Sequence, residues 1–162
     1  MSVKLEMQPA SVIKLKLGLE NGGPVHKFFT NTCALHMDKY VPMDDGTLAE
    51  TVVVNSTTTS NVTTDTITYD TPYAHYMYEG IVYVDPEYGV AAFPIIDKEG
   101  NLQGFYSRKD VKKVPSSRQI DYSDEKHSEA GPHWDKRMWS AEKDTIVKEV
   151  EDYMWRNAKD GL

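Results

Sequence analysis

The chain has 162 residues, 40% of them hydrophobic and 27% charged, with a formal net charge of −7 and a single cysteine, Cys33. These totals fit one globular domain with a real core, and they exclude wholesale disorder, an internal disulfide framework and a Cys-rich zinc site. The acidic balance argues against a protein that grips duplex DNA, because displacing counterions needs a basic face.

In chain order, Val3 and Leu5 alternate with Lys4 and Glu6 as in a short opening strand. That start lacks the apolar run of a signal peptide, and no stretch approaches membrane-spanning length; the single Cys33 points to a reducing cytoplasm or to no redox role at all. In residues 9–20 the apolar spacing 12, 15, 19 is helical while 13, 15, 17, 19 alternates, so helix and strand compete. Asn21-Gly22-Gly23 then breaks the chain. From Pro24 to Tyr40, Val25, Phe28, Phe29, Thr32, Cys33, His36 and Tyr40 recur mostly at spacings of three and four, which predicts an amphipathic helix. On its apolar face Cys33 reads as a small core residue and His36 as a half-buried helix histidine. Pro42 stops the helix, and Asp45-Gly46 is a turn pair, with Asp44 and Asp45 serving the backbone rather than a metal.

Beyond Glu50 the composition turns to Thr and Val. The β-branched runs 51–54 and 62–69, flanking a polar tip at 55–61, predict a hairpin. The next stretch, Thr71-Pro72-Tyr73-Ala74-His75-Tyr76-Met77-Tyr78-Glu79-Gly80, predicts a two-turn helix with Pro72 in its first turn and Gly80 as its C-cap. Tyr73, Met77 and Gly80 fall on one face of it, and His75, Tyr76 and Glu79 on another. Ile81–Val84 follows as a strand stopped by Asp85-Pro86. Residues 89–96 and 102–106 then form a second hairpin around the turn at 97–101.

Residues 107–129 carry few signals and are expected to be an extended loop or arm. Arg108, Lys109, Lys112, Lys113 and Arg118 make a basic cluster there, either simply solvated or meeting an acidic partner or a DNA backbone. Gly131-Pro132 opens a C-terminal helix that runs to about Ala158. Its predicted buried stripe is Trp139, Ile146, Val150 and Tyr153, flanked by Met138 and Met154. Trp155 points to the opposite face and Trp134 lies off the stripe; each covers another part of the chain or awaits a neighbouring subunit. The expected architecture is a single α+β domain over 1–162. It has an antiparallel sheet of two hairpins, with the N-terminal helix and the long C-terminal helix packed on it.

Signals of catalysis are absent from the sequence: there is no Gly-rich phosphate loop, GxSxG elbow, HExxH or CxxC pair. His75, His127 and His133 would make a zinc site only if the fold brought them together, and Asp44, Glu79 and Asp85 each have a turn or cap role. The reading is therefore a structural or interaction domain, without a cofactor and not an enzyme. The alternatives are a small metal-dependent hydrolase using the three histidines and a monomeric binding module.

Three stretches taken together, VPMDDGTL at 41–48, TPYAHYMYEG at 71–80 and AGPHWDKRM at 130–138, resemble the minor capsid protein family of long-tailed bacteriophages that infect Gram-positive hosts. That family is similar to phage neck and tail-completion proteins. The resemblance covers Pro24 to Asn157 and leaves 85–128 without a matching motif. It implies a virion structural protein at the head–tail junction, assembled in the host cytoplasm. It also implies an antiparallel sheet with helices on one side. The implied partners are further copies in a sixfold or twelvefold ring, a head-closure or adaptor protein, and a tail terminator or tail tube protein. DNA would pass through unbound, and no membrane is involved. Contact candidates under this reading are His75, Tyr76, Glu79, Trp134, Trp155, Arg108, Lys109, Lys112, Lys113 and Arg118. The Thr-rich hairpin would extend a neighbour's sheet.

Overall fold

The structure is a computed structural model that describes residues 9–43 and 47–159; the expected opening strand at 3–6, the Asp45-Gly46 turn and Gly161 lie outside them. The competition at 9–20 resolves as helix α1 (Ala10–Lys16), none of whose residues is buried. Helix α2 (Pro24–Met37) starts with Pro24, whose ring presets the helical φ, and it runs into a 3-10 turn at Asp38–Tyr40. A single turn, α3 (Thr47–Glu50), leads into β1 (Val52–Thr59) and β2 (Val62–Tyr69). These two strands pair in full register around Ser60 and Asn61, both at positive φ, as a two-residue hairpin turn requires.

Helix α4 (Ala74–Glu79) ends at Gly80 with φ +74°, a left-handed cap. Then come β3 (Ile81–Val84), β4 (Phe93–Ile96), β5 (Leu102–Tyr106) and β6 (Val114–Gln119), and the long α5 (Trp134–Lys159) closes the chain. The class is α+β, and both hairpins and the C-terminal helix are present; β1 extends through most of the expected tip at 55–61 as far as Thr59, and the strand expected at 89–96 begins only at Phe93. Among the described residues, however, the strands form three separate two-stranded antiparallel sheets, β1–β2, β3–β6 and β4–β5. β6 falls inside the segment expected to be a loop. Its sequence, Val-Pro-Ser-Ser-Arg-Gln, has no period-2 apolar pattern, and it is made a strand by long-range pairing with β3.

The core lies between α2 and α5. Cys33, Met37, Tyr40, Val41, Leu48, Ala49, Trp134, Met138 and Ile146 form one buried cluster, with Ile67, Tyr69, Ala74, Met77 and Tyr78 against it. Burial raises the Cys33 thiol pKa, as befits a core residue. Phe28 stacks on Tyr153 at 4.0 Å, tying the rim of α2 to α5. The stripe on α5 differs from expectation. Trp134 and Met138 are buried and Trp139 is 40% exposed, so the inward row is 134, 138, 142, 146 and 150. Trp139 follows Met138 by one residue, hence by about 100° around the helix, and the two cannot both face inward.

Candidate assembly surface

Described residues of the three stretches meet in space: Val41, Leu48, Trp134 and Met138 share one buried cluster, with Ala74, Met77 and Tyr78 packed against it. Gly131 N–H donates to the Tyr40 carbonyl at 3.2 Å, and His133 N–H donates to the Tyr78 carbonyl at 2.9 Å. The Tyr78 hydroxyl donates to Asp135 at 2.8 Å, and its ring stands edge-on to His133 and Trp134. Burial, followed by that bond to Asp135, pushes the Tyr78 pKa up to about 12. The Tyr122 hydroxyl donates to the Met77 carbonyl, and His127 Nδ1 lies 2.8 Å from the carbonyl of Val41. His133, at φ +49°, turns the chain so that Trp134 enters the core from the first turn of α5. The stretches thus form one knot at the end of the helix pair, and Trp134 is its centre. Trp134 is 4% exposed and T-stacked on Tyr69 and Tyr78, so it is core rather than a contact for a neighbour.

A polar seam joins α2 to α5. Glu142 accepts from the Tyr40 hydroxyl at 2.6 Å, pairs with Lys39 at 2.6 Å and contacts His36 Nδ1, while His36 Nε2 lies 3.2 Å from Glu149. Burial works to raise the Glu142 pKa, but hydrogen bonds from His36, Lys39 and Tyr40 outweigh it and bring the carboxyl down to about 2. His36 is raised in turn, chiefly by its hydrogen bond with Glu142.

The contact candidates divide. His75 and Tyr76 are exposed and cluster with Tyr83, the Tyr76 and Tyr83 rings lying 4.7 Å apart, while Glu79 is half-buried. Trp155 is 55% exposed. Arg108 is consumed internally: it grips Asp85 through two nitrogens at 2.7 and 2.8 Å, reaches Glu87 at 2.7 Å, and lies over the Tyr88 ring. Lys113 donates to the Ala91 carbonyl at 2.6 Å and Arg118 reaches the Gly89 carbonyl at 3.5 Å. Arg108 and Lys113 brace the 85–91 loop, Arg118 touches it at the limit of reach, and Lys109, Lys112 and Arg118 are exposed. The sequence offered no signal for this loop-bracing role, because Asp85 and Arg108 carry no motif. Among the described residues, no group of three or more His, Cys, Asp or Glu side chains is placed to hold a metal. His75, His127 and His133 instead make the separate contacts described above.

What remains is surface. The chain exposes 11759 Å², against roughly 8,200 Å² for a compact monomer of this length. The residues outside the described set, even fully solvated, would supply at most about 2,200 Å² of the roughly 3,600 Å² excess. Much of that surface is apolar: on α1, along β1, on both faces of β4–β5, and at Trp139, Val147 and Trp155 of α5. No described helix is long and apolar enough to cross a membrane. The chain matches no protein-family model, no curated protein and no solved structure.

Proposed function

We propose that this chain is a structural, non-catalytic component of a tailed-phage or prophage virion, a subunit of the ring that joins head to tail. The observation that carries the assembly part is the open apolar surface. A small core between two helices leaves α1, β1 and the β4–β5 pair without a buried residue, and other protein copies are the natural cover for that much apolar area. The head–tail location comes from the likeness to the minor capsid family, which rests on the three quoted stretches. Their convergence into one knot supports reading them as a single domain signature. In this reading the partners are sixfold or twelvefold copies of the chain, a head-closure or adaptor protein on one side, and a tail terminator or tail tube protein on the other. The net charge of −7 suits a channel wall along which DNA slides without being held. His75, Tyr76 and Trp155 remain available to a neighbour. The test is electron-microscopic imaging of intact particles from the source phage or prophage. A closed ring of this chain at the head–tail junction is expected, and its absence from the particle would overturn the reading.

A further inference from the structure

Strand pairing sorts the side chains of the second hairpin. Phe93 faces Tyr106 and Pro94 faces Phe105, and alternation along β4 places Ile96 on the Pro94 side, opposite Leu102. One face therefore presents Ile96, Leu102 and Phe105, which are 56–64% exposed, and the other presents Ile95 and Tyr106, about half exposed. The hairpin packs chiefly on itself. A two-stranded unit with apolar residues on both faces is marginal in water without a third layer.

It is nevertheless held at both ends. At the tip, the Asp97 carboxylate accepts the N–H groups of Glu99 and Asn101 at 2.9 and 2.8 Å and the Gln103 side-chain amide at 2.8 Å. At the root, Arg108 clamps Asp85, and Phe93 stacks on Tyr106 at 5.3 Å. A strand pair stiffened in this way loses little entropy on docking. Pro94 has no N–H to donate, which disfavours sheet extension along β4, and the exposed apolar side chains lie on the faces of the pair.

We propose that β4–β5 is an arm that docks face-on onto a second copy of this chain; the proposal rests on the assembly reading above. The occupant follows from area and from the presence of unlike patches on one chain. Besides the arm, the chain leaves Ile13 and Leu15 of α1 and the Phe29–Trp139 pair exposed. Two unlike apolar patches on one chain suit a head-to-tail contact, the type of contact that builds a ring when its rotation closes. In such a ring each subunit covers one arm and one receiving patch, so the area lost per subunit equals the area of one interface. The roughly 3,600 Å² excess, or the roughly 1,400 Å² left after deducting the undescribed residues, lies within the range of stable interfaces, about 1,200 to 5,000 Å².

The test uses the full chain. Its mass in solution is measured across a concentration series, with hydrogen exchange read over residues 93–106, beside the double variant Ile96→Glu with Phe105→Glu. Both positions are exposed in the isolated chain, so the variant keeps its fold, checked by circular dichroism. The wild type is expected to be heavier than a monomer, with slowed exchange in the arm, and the variant to raise the dissociation constant at least about tenfold. An oligomer that survives the variant, or an arm that exchanges equally fast in oligomer and monomer, would refute the arm while leaving assembly intact. A monomer at every concentration, or protection seen only when another virion protein is added, would refute the second copy as occupant. Failure of the head–tail reading shows separately, as absence of the chain from particles.

Discussion

Replacing Glu142 with Gln tests the polar seam between α2 and α5. The substitution keeps the shape and removes the charge that Lys39, His36 and Tyr40 all address. A carboxyl lowered from 4.5 to about 2 corresponds to roughly 3 kcal/mol of folding free energy at neutral pH. The seam is open at its rim, where Lys39 and Glu149 are nearly half exposed, and solvent screening reduces the expectation to about 1–2 kcal/mol. For a chain of this length that is a fall in Tm of about 3–6 °C. The sign with pH is fixed. A depressed carboxyl contributes stability above its unfolded value near 4.5 and loses it as pH falls toward 2. The gap between wild type and Glu142→Gln should therefore be full at pH 6 and shrink to about a quarter of that at pH 2.5. His36 acts in the opposite sense. Raised by Glu142 and Glu149, it contributes below 6.5 and loses that contribution as pH climbs through its folded value. Wild type should therefore also lose stability on the alkaline side, and Glu142→Gln should show less of that slope. Thermal and urea melts at four pH values would measure both slopes. An equal penalty at pH 6 and pH 2.5, or no penalty at all, would refute an ionic role for Glu142.

Two further substitutions probe the knot and the surface. Gly80→Ala would place a Cβ 2.7 Å from the Pro132 side chain at φ +74°; combining left-handed strain with the clash, about 2–4 kcal/mol of destabilisation is expected in chemical denaturation. Trp134→Ala should cost about 3–5 kcal/mol as a buried aromatic deletion, whereas Trp155→Ala should change monomer stability by less than about 0.5 kcal/mol while weakening assembly. Equal stability losses for the two tryptophans would contradict their assigned places.

What the sequence made legible follows from how local each signal is. The 3–4 spacing of α2, the β-branched runs of β1 and β2, and Gly80 as a cap all act within one element, and all three are found, although β1 runs through the expected polar tip at 55–61 as far as Thr59 and leaves only Ser60 and Asn61 to turn. The misreadings need a partner far along the chain. On the short helix, the spacing puts Tyr73 and Met77 on one face, the one expected to anchor it. Because the helix begins at Ala74, the inward set is Ala74, Met77 and Tyr78, and Tyr73 is 39% exposed. The worth of Tyr78 depends on Asp135, 57 residues away, and no spacing rule links the two. Trp134 looked peripheral because it precedes the regular helical stripe; the left-handed turn at His133 directs it inward. The basic cluster looked like one patch, but Arg108 and Lys113 are spent on the 85–91 loop, Lys113 on a backbone carbonyl that carries no sequence signature.

The division between knot and periphery has a thermodynamic consequence. Side chains from all three quoted stretches cluster with α2 and α5 in one buried set, against which β2 lays Ile67 and Tyr69, while the β4–β5 pair and α1 contribute no buried residue. Two-stranded sheets of this kind hold poorly unless something covers them, so their stability comes from whatever docks on them. If that cover is another copy, folding of the periphery and assembly are linked, and mass action requires the melting midpoint to rise with protein concentration. The rise should be confined to the β4–β5 pair: exchange over 93–106 should slow with concentration, while exchange around Trp134 and Tyr78 stays fixed by the knot. A midpoint independent of concentration, with β4–β5 as protected as the core in a dilute monomer, would mean that the strand pair is self-sufficient. The exposed apolar area would then need another explanation.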